Sequence, residues 1–212
     1  MSGDRLETVV TSPADGDPGA YDTLILGIGN VLWADEGFGV RAVEALNARY
    51  RLPENVRVMD GGTQGIFLLP WVRNARRLLI FDALDFGLEP AALKQVEGDE
   101  VPRFMGVKKM SMHQSGFQEV LMTAELSGEL PAEIVLIGVQ PERLDDYGGS
   151  LRPSVRNRIP AAVDMAVARL ERWGIAVTAR EGAAEPVGPD ALDIERYEHG
   201  RPPAVGTARS MH

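Results

Sequence analysis

The chain has 212 residues, enough for one domain with a full core. Its 44% hydrophobic and 25% charged residues are ordinary for a globular protein, and a net charge of -9 argues against nucleic acid or an anionic membrane surface as a general partner. With no cysteine it has no disulfide, thiol nucleophile or thiolate metal site, and no stretch approaches the roughly 18 apolar residues of a membrane span.

Residues 1–20 are rich in Asp, Gly, Pro and Ser and lack the basic start and apolar run of a signal peptide. They are expected to form a poorly ordered tail on a cytoplasmic, monomeric protein. A buried strand is predicted at about 23–28, where Leu24-Ile25-Leu26 is continuously apolar. It meets a glycine loop, Gly27-Ile28-Gly29-Asn30, followed by the adjacent acids Asp35 and Glu36. The next stretch is helical, with Gly39, Val43, Leu46 and Tyr50 on one stripe. Residues 55–60 (NVRVMD) alternate weakly as a second strand and end in Gly61-Gly62-Thr63. Gln64 to Asn74 reads as a short helix kinked or cut by Pro70.

The strongest strand lies in 77–85, with Leu78-Leu79-Ile80-Phe81 at its centre, Asp82 at its end and Asp85 just beyond. Residues 92–97 alternate as an edge strand, and 98–112 read as a loop leading to His113. Ser115 and Gln118 have capping-box spacing ahead of a stripe of Phe117, Val120, Leu121 and Ala124, which Gly128 stops. Residues 134–139 (IVLIGV) form another apolar strand, running into Gln140-Pro141-Glu142. From Pro153 the pattern is helical again, with a bend expected at Pro160. Residues 179–212 read as a mobile tail, leaving one domain at 21–178.

Strands alternating with helices imply an α/β fold: a mainly parallel sheet covered on both faces. The apolar strands lead to Asn30, Asp82 and Gln140, so these residues should lie along the carboxyl end of the sheet. Sites in open α/β sheets form there.

The Gly27-x-Gly29 pair suggests a dinucleotide loop, but Leu32 stands where G-x-G-x-x-G needs its third glycine. Glu36 could be a helix-start acid favoured by the dipole, and Asp82 could cap a turn. Asp85 could take either the capping or the site role. His113 is the only one of three histidines outside the expected tails. It precedes a helix N-terminus, which favours the neutral imidazole that binds metal. Glu36, Asp82 and His113 would make a three-ligand set with open positions, suited to Zn, Ni, Mn or Fe. A serine nucleophile at Ser115 beside His113 is a poor reading, since neighbours two apart in a loop seldom reach nucleophile–base geometry.

These motifs, taken in order, resemble the NiFe-hydrogenase maturation endopeptidases. The resemblance rests on Gly27–Asn30, Asp35–Arg41, Asp60–Thr63, Asp82-Ala83, Ser111-Met112-His113-Gln114 and Gly138–Glu142, and spans roughly residues 23–177. It implies a three-layer α/β/α sandwich around a five-stranded, mostly parallel twisted sheet. It also implies an endopeptidase that removes the C-terminal extension of the hydrogenase large-subunit precursor after nickel insertion. The family's metal-binding and catalytic positions map onto Glu36, Asp82 and His113. Nickel would arrive with the precursor and serve as the recognition element; another divalent metal could occupy the isolated protein. The rival functions are a non-enzymatic hydrogenase assembly factor and a nucleotide- or flavin-binding α/β protein.

Overall fold

The sheet is built from runs that bury both of their faces. Three strands, β2 (Thr23–Ile28), β5 (Arg77–Ala83) and β7 (Glu133–Val139), are almost wholly buried along their length. The computed structural model describes residues 8–12, 18–107 and 112–187, with side chains except those of 105–107 and 112–115.

The other strands are β1 (Val9–Thr11), β4 (Val56–Gly62) and β6 (Leu93–Glu97), and the order across the sheet is β1-β4-β2-β5-β7-β6. All neighbours pair in parallel except β6, which runs antiparallel to β7. A separate two-residue pair joins β3 (Tyr50–Arg51) to β8 (Thr178–Ala179). The helices are α1 (Phe38–Arg49), α2 (Leu69–Asn74), α3 (Glu100–Val107), α4 (Met112–Leu126), α5 (Pro153–Arg156) and α6 (Ile159–Arg172).

Side chains alternate across the strands and feed two cores. Ile25, Leu79, Phe81, Val135 and Ile137 pack with Val43 and Leu46 of α1 and Val163 and Leu170 of α6. Leu24, Leu26, Leu78, Ile80 and Leu136 pack on the other face with Trp71 of α2 and Phe117, Val120 and Leu121 of α4. The three-layer α/β/α architecture follows. No helix among the described residues is long and apolar enough to cross a membrane.

The structure departs from the sequence reading at several places. The sheet has six strands because Val9–Thr11, inside the expected N-terminal tail, pairs along β4 from Val9↔Arg57 to Thr11↔Met59. The stretch 98–112 contains α3, and α4 begins at Met112, three residues before the expected cap at Ser115. Pro70 and Pro160 mark breaks in their helical stretches, which divide into Gly65–Leu68 and α2 and into α5 and α6, but neither kinks a continuous helix. Each stands in the first turn of α2 or α6, where the missing N–H has no intrahelical acceptor to lose.

The described residues just beyond 178 are also tied down, while 188–212 of the expected tail lie outside the described residues. Arg180 donates from Nε to the Asn47 carbonyl at 2.8 Å and from Nη2 to Thr8 Oγ1 at 3.0 Å, Asn47 Oδ1 at 3.2 Å and the Tyr50 carbonyl at 3.1 Å. Thr8 Oγ1 in turn accepts the Leu52 N–H at 2.9 Å. One guanidinium thus joins both flanking segments to the end of α1. Arg180→Ala should cost about 1–3 kcal/mol and speed amide exchange at 8–11 and 178–179 ahead of the central strands, readable by denaturant unfolding and hydrogen exchange.

Candidate active site

The chain leaves β2 through α1 to β4 on one side, while β5 flanks β2 on the other. The carboxyl end of β2 is therefore the point where successive connections diverge, the usual place for a site in an open α/β sheet. What fills it is set by close backbone packing. A Cβ on Gly39 would stand 2.2 Å from the carbonyl oxygens of both Ile28 and Phe81. Only a bare backbone lets the first turn of α1 sit on the ends of β2 and β5. Gly29, at φ +129°, faces the Glu36 carbonyl in the same way, with 1.8 Å left for a Cβ. The close helix packing that a dinucleotide loop assigns to its third glycine is thus supplied by Gly39.

This packing lodges the 3-10 turn Ala34–Gly37 against β5. Glu36 is 5% exposed there. Asp82, directly after Phe81, is fully buried, and its Oδ1 accepts the Ala83 N–H at 2.7 Å. Glu36 and Asp82 thus come to the same end of the sheet. His113 lies in the first turn of α4, and its side chain is outside the described residues. The start of α4 is carried to the turn after β4: a Cβ on Gly116 would stand 3.2 Å from Gly65 Cα. Among the described residues, which exclude the His113 side chain, no three His, Asp or Glu side chains form a metal-holding group.

Two other acids at this end are structural. Asp35, fully buried, accepts the main-chain N–H groups of Glu142 at 2.9 Å and Arg143 at 2.8 Å on Oδ2, and of Arg152 at 2.7 Å on Oδ1. The Ala34 N–H donates to the Gly149 carbonyl at 3.1 Å and the Gly148 N–H to the Leu32 carbonyl at 2.7 Å. The loops after β2 and β7 thereby form one unit, in which the Trp33 ring meets Tyr147 edge-on at 5.2 Å. Asp85 takes the capping role: it is exposed and accepts the Gly87 N–H at 2.9 Å and Gln140 Nε2 at 3.1 Å.

A fifth acid escaped the sequence reading. Asp60, near the end of β4, lines a hollow of about 250 Å³ with Asn30, Val31, Leu32, Gly62 and Thr63. Burial pushes its carboxyl up to about 6, against the pull of the Gly62 N–H and of the Arg41 guanidinium. Arg41 is itself buried and paired with Glu44 at 2.9 Å. Asp60 Oδ1 is buried with no hydrogen-bond partner among the described residues. The sequence offered one signal, an acid beside two glycines near a strand's carboxyl end, one register step short of Asp82 on β5.

Acids of contrasting environment thus gather at the switch point of an open α/β sheet, where such folds place their sites. The chain belongs to the hydrogenase maturation protease family, whose model matches residues 40–169. It is 58% identical to the hydrogenase expression/formation protein HoxM of Azotobacter vinelandii over 183 residues, covering 86% of this chain and 88% of that one. The hydrogenase 2 maturation protease of Escherichia coli is 40% identical over 159 residues, covering 74% of this chain and 96% of its own length. The solved hydrogenase maturating endopeptidase HybD from E. coli superposes with a TM-score of 0.71 at 38% identity, over 75% of this chain and 98% of that one.

Two outcomes follow for stability. Asp35→Ala strands three N–H groups and should cost about 2–4 kcal/mol in chemical denaturation. Asp60 works in the other direction. Its folded pKa of about 6 lies above the usual 3.8, so between those values the folded state holds a proton that the unfolded state has released. Its contribution favours folding at low pH and is lost as pH rises through 6. Asp60→Asn should therefore be more stable than the wild type at pH 7.5, by on the order of 1–3 kcal/mol, with the gain vanishing below pH 4.

Proposed function

We propose that this protein is an endopeptidase that removes the C-terminal extension of a NiFe-hydrogenase large-subunit precursor after nickel insertion, recognising the nickel that the precursor carries. The observation that carries the reading is the pairing of buried acids at the β2–β5 end with an ionisable acid in the adjoining hollow, in a chain of this family. The nickel is part of the substrate, not a resident cofactor. Glu36, Asp82 and His113 are the residues we assign to meeting it. Two carboxylates and an imidazole suit a divalent first-row metal and leave coordination positions for the precursor's own ligands.

Asp60 is assigned as general base. A carboxylate is usually a weak base at neutral pH, and burial raises Asp60 towards the range where proton transfer is effective. Its carboxylate takes a proton from water as the oxygen attacks the scissile carbonyl. The proton then passes to the leaving nitrogen as the C–N bond breaks. Grip on the nickel fixes the peptide over the hollow, which supplies positioning and limits cleavage to loaded precursor.

The test is incubation with nickel-loaded and nickel-free precursor, read by mass spectrometry of the products. Cleavage of the loaded form alone is expected; cleavage of neither by folded protein would overturn the reading. His113→Ala should abolish nickel-dependent processing while leaving the circular dichroism spectrum unchanged. Asp60→Asn should lower kcat by about 10²–10⁴-fold with little change in KM, and wild-type kcat should fall as pH drops through about 6.

A further inference from the structure

We propose that Phe67, supported by Ile66, is a specificity-determining contact that receives a large apolar side chain of the precursor next to the cleaved bond. This rests on the processing function proposed above. Phe67 is 73% exposed and Ile66 49%, side by side in the 3-10 turn Gly65–Leu68. The same turn buries Leu68 completely, so the fold had an apolar pocket available and Phe67 stands outside it.

The turn is stiff. Gly65 has φ +52°, a conformation side chains resist, and a Cβ there would stand 3.6 Å from Gly116 Cα on α4. The Gln64 N–H donates to the Gly61 carbonyl at 3.1 Å and the Phe67 N–H to the Gln64 carbonyl at 3.3 Å. Gly62 and Thr63 line the hollow that holds Asp60, so Phe67 lies within a few residues of it along a tightly wound segment. The rest of the wall is Gly29–Leu32 with Val40, and Leu32 is followed in the chain by Trp33, whose ring meets the exposed Tyr147. The wall at Thr63 continues through Gln64 into the turn that carries Phe67, and that turn meets α4 at Gly116, three residues from His113. An aromatic ring held on a rigid support loses little entropy on contact and gives up much apolar area, which is how a single residue dominates recognition.

Leu126 is exposed without sharing this position. At 87% exposure it ends α4, 13 residues beyond His113 and so about 20 Å along the helix from it. It provides the control.

The experiment compares wild type, Phe67→Ala, Phe67→Leu and Leu126→Ala with nickel-loaded precursor, measuring kcat and KM by product formation and Kd by surface plasmon resonance. Phe67→Ala is expected to raise both KM and Kd about tenfold, with kcat within twofold and Tm unchanged. Phe67→Leu should recover most of the affinity, and Leu126→Ala should match wild type. Unchanged KM and Kd in Phe67→Ala would overturn the inference, as would a fall in Tm. A wild-type dimer that Phe67→Ala dissociates would also overturn it, by assigning the ring to a second copy of the chain. Binding remains readable without turnover: a wild type that holds precursor uncleaved fails the peptidase reading, while a tenfold Kd change still upholds Phe67. Absence of any binding overturns both.

Discussion

Asp35 accepts three main-chain N–H groups from Glu142, Arg143 and Arg152. A carboxylate is costly to bury, and fixed N–H donors offset that cost without a side chain that can rotate away. The donors come from the far loop, more than 100 residues along the chain, so the bond network closes the carboxyl end of the sheet into one piece. Glu36 is the next residue. Its position therefore depends on Asp35 as much as on the glycine contacts beneath α1. A site that must hold a charge in a fixed place gains from such a neighbour, since positional error of an ångström weakens both ligation and proton transfer.

The five acids gathered at this end have the same chemistry and different fates. Asp35 is saturated by backbone donors and Asp85 caps an exposed turn. Glu36 and Asp82 are buried where β2 and β5 end. Asp60 keeps an unsatisfied buried oxygen beside open space and is pushed towards neutrality. Environment separates the roles, as it does wherever neighbouring carboxyls perform different tasks.

Much of this was readable in the sequence. The runs at 24–26, 78–81 and 134–139 announce strands buried on both faces, because a covered parallel sheet accommodates short continuous apolar runs and the intervening helical stretches supply its cover. Glu36 and Asp82 could be picked out because each follows such a run closely. Val9–Thr11 could not: three residues in a polar stretch carry no period, and the pairing that orders them is made with β4, 48 residues away at Val9↔Arg57. Helix α3 contains Pro102 and Gly106 in an eight-residue span, so its propensity argues against it and packing on α4 and β6 decides. The prolines at 70 and 160 signalled a break in each helical stretch but not its form, because a first-turn proline and a kinking proline look alike until the helix start is known. Asp60 was quoted within a turn motif, but the hollow it lines is completed by Gly29–Leu32 and Val40, which come from a separate segment. Neither its burial nor the convergence on the hollow can be read from one stretch of chain.

The short strand β1 has a consequence for how the protein behaves in a crowded solution. It occupies the outer hydrogen-bonding row of β4, whose residues Arg57 to Met59 would otherwise offer unpaired amides and carbonyls to any passing chain. Removing residues 1–20 as dispensable would bare that row, and bare strand margins are templates for self-association. Three residues of seemingly idle sequence thus cover a margin of the sheet that would otherwise stand open.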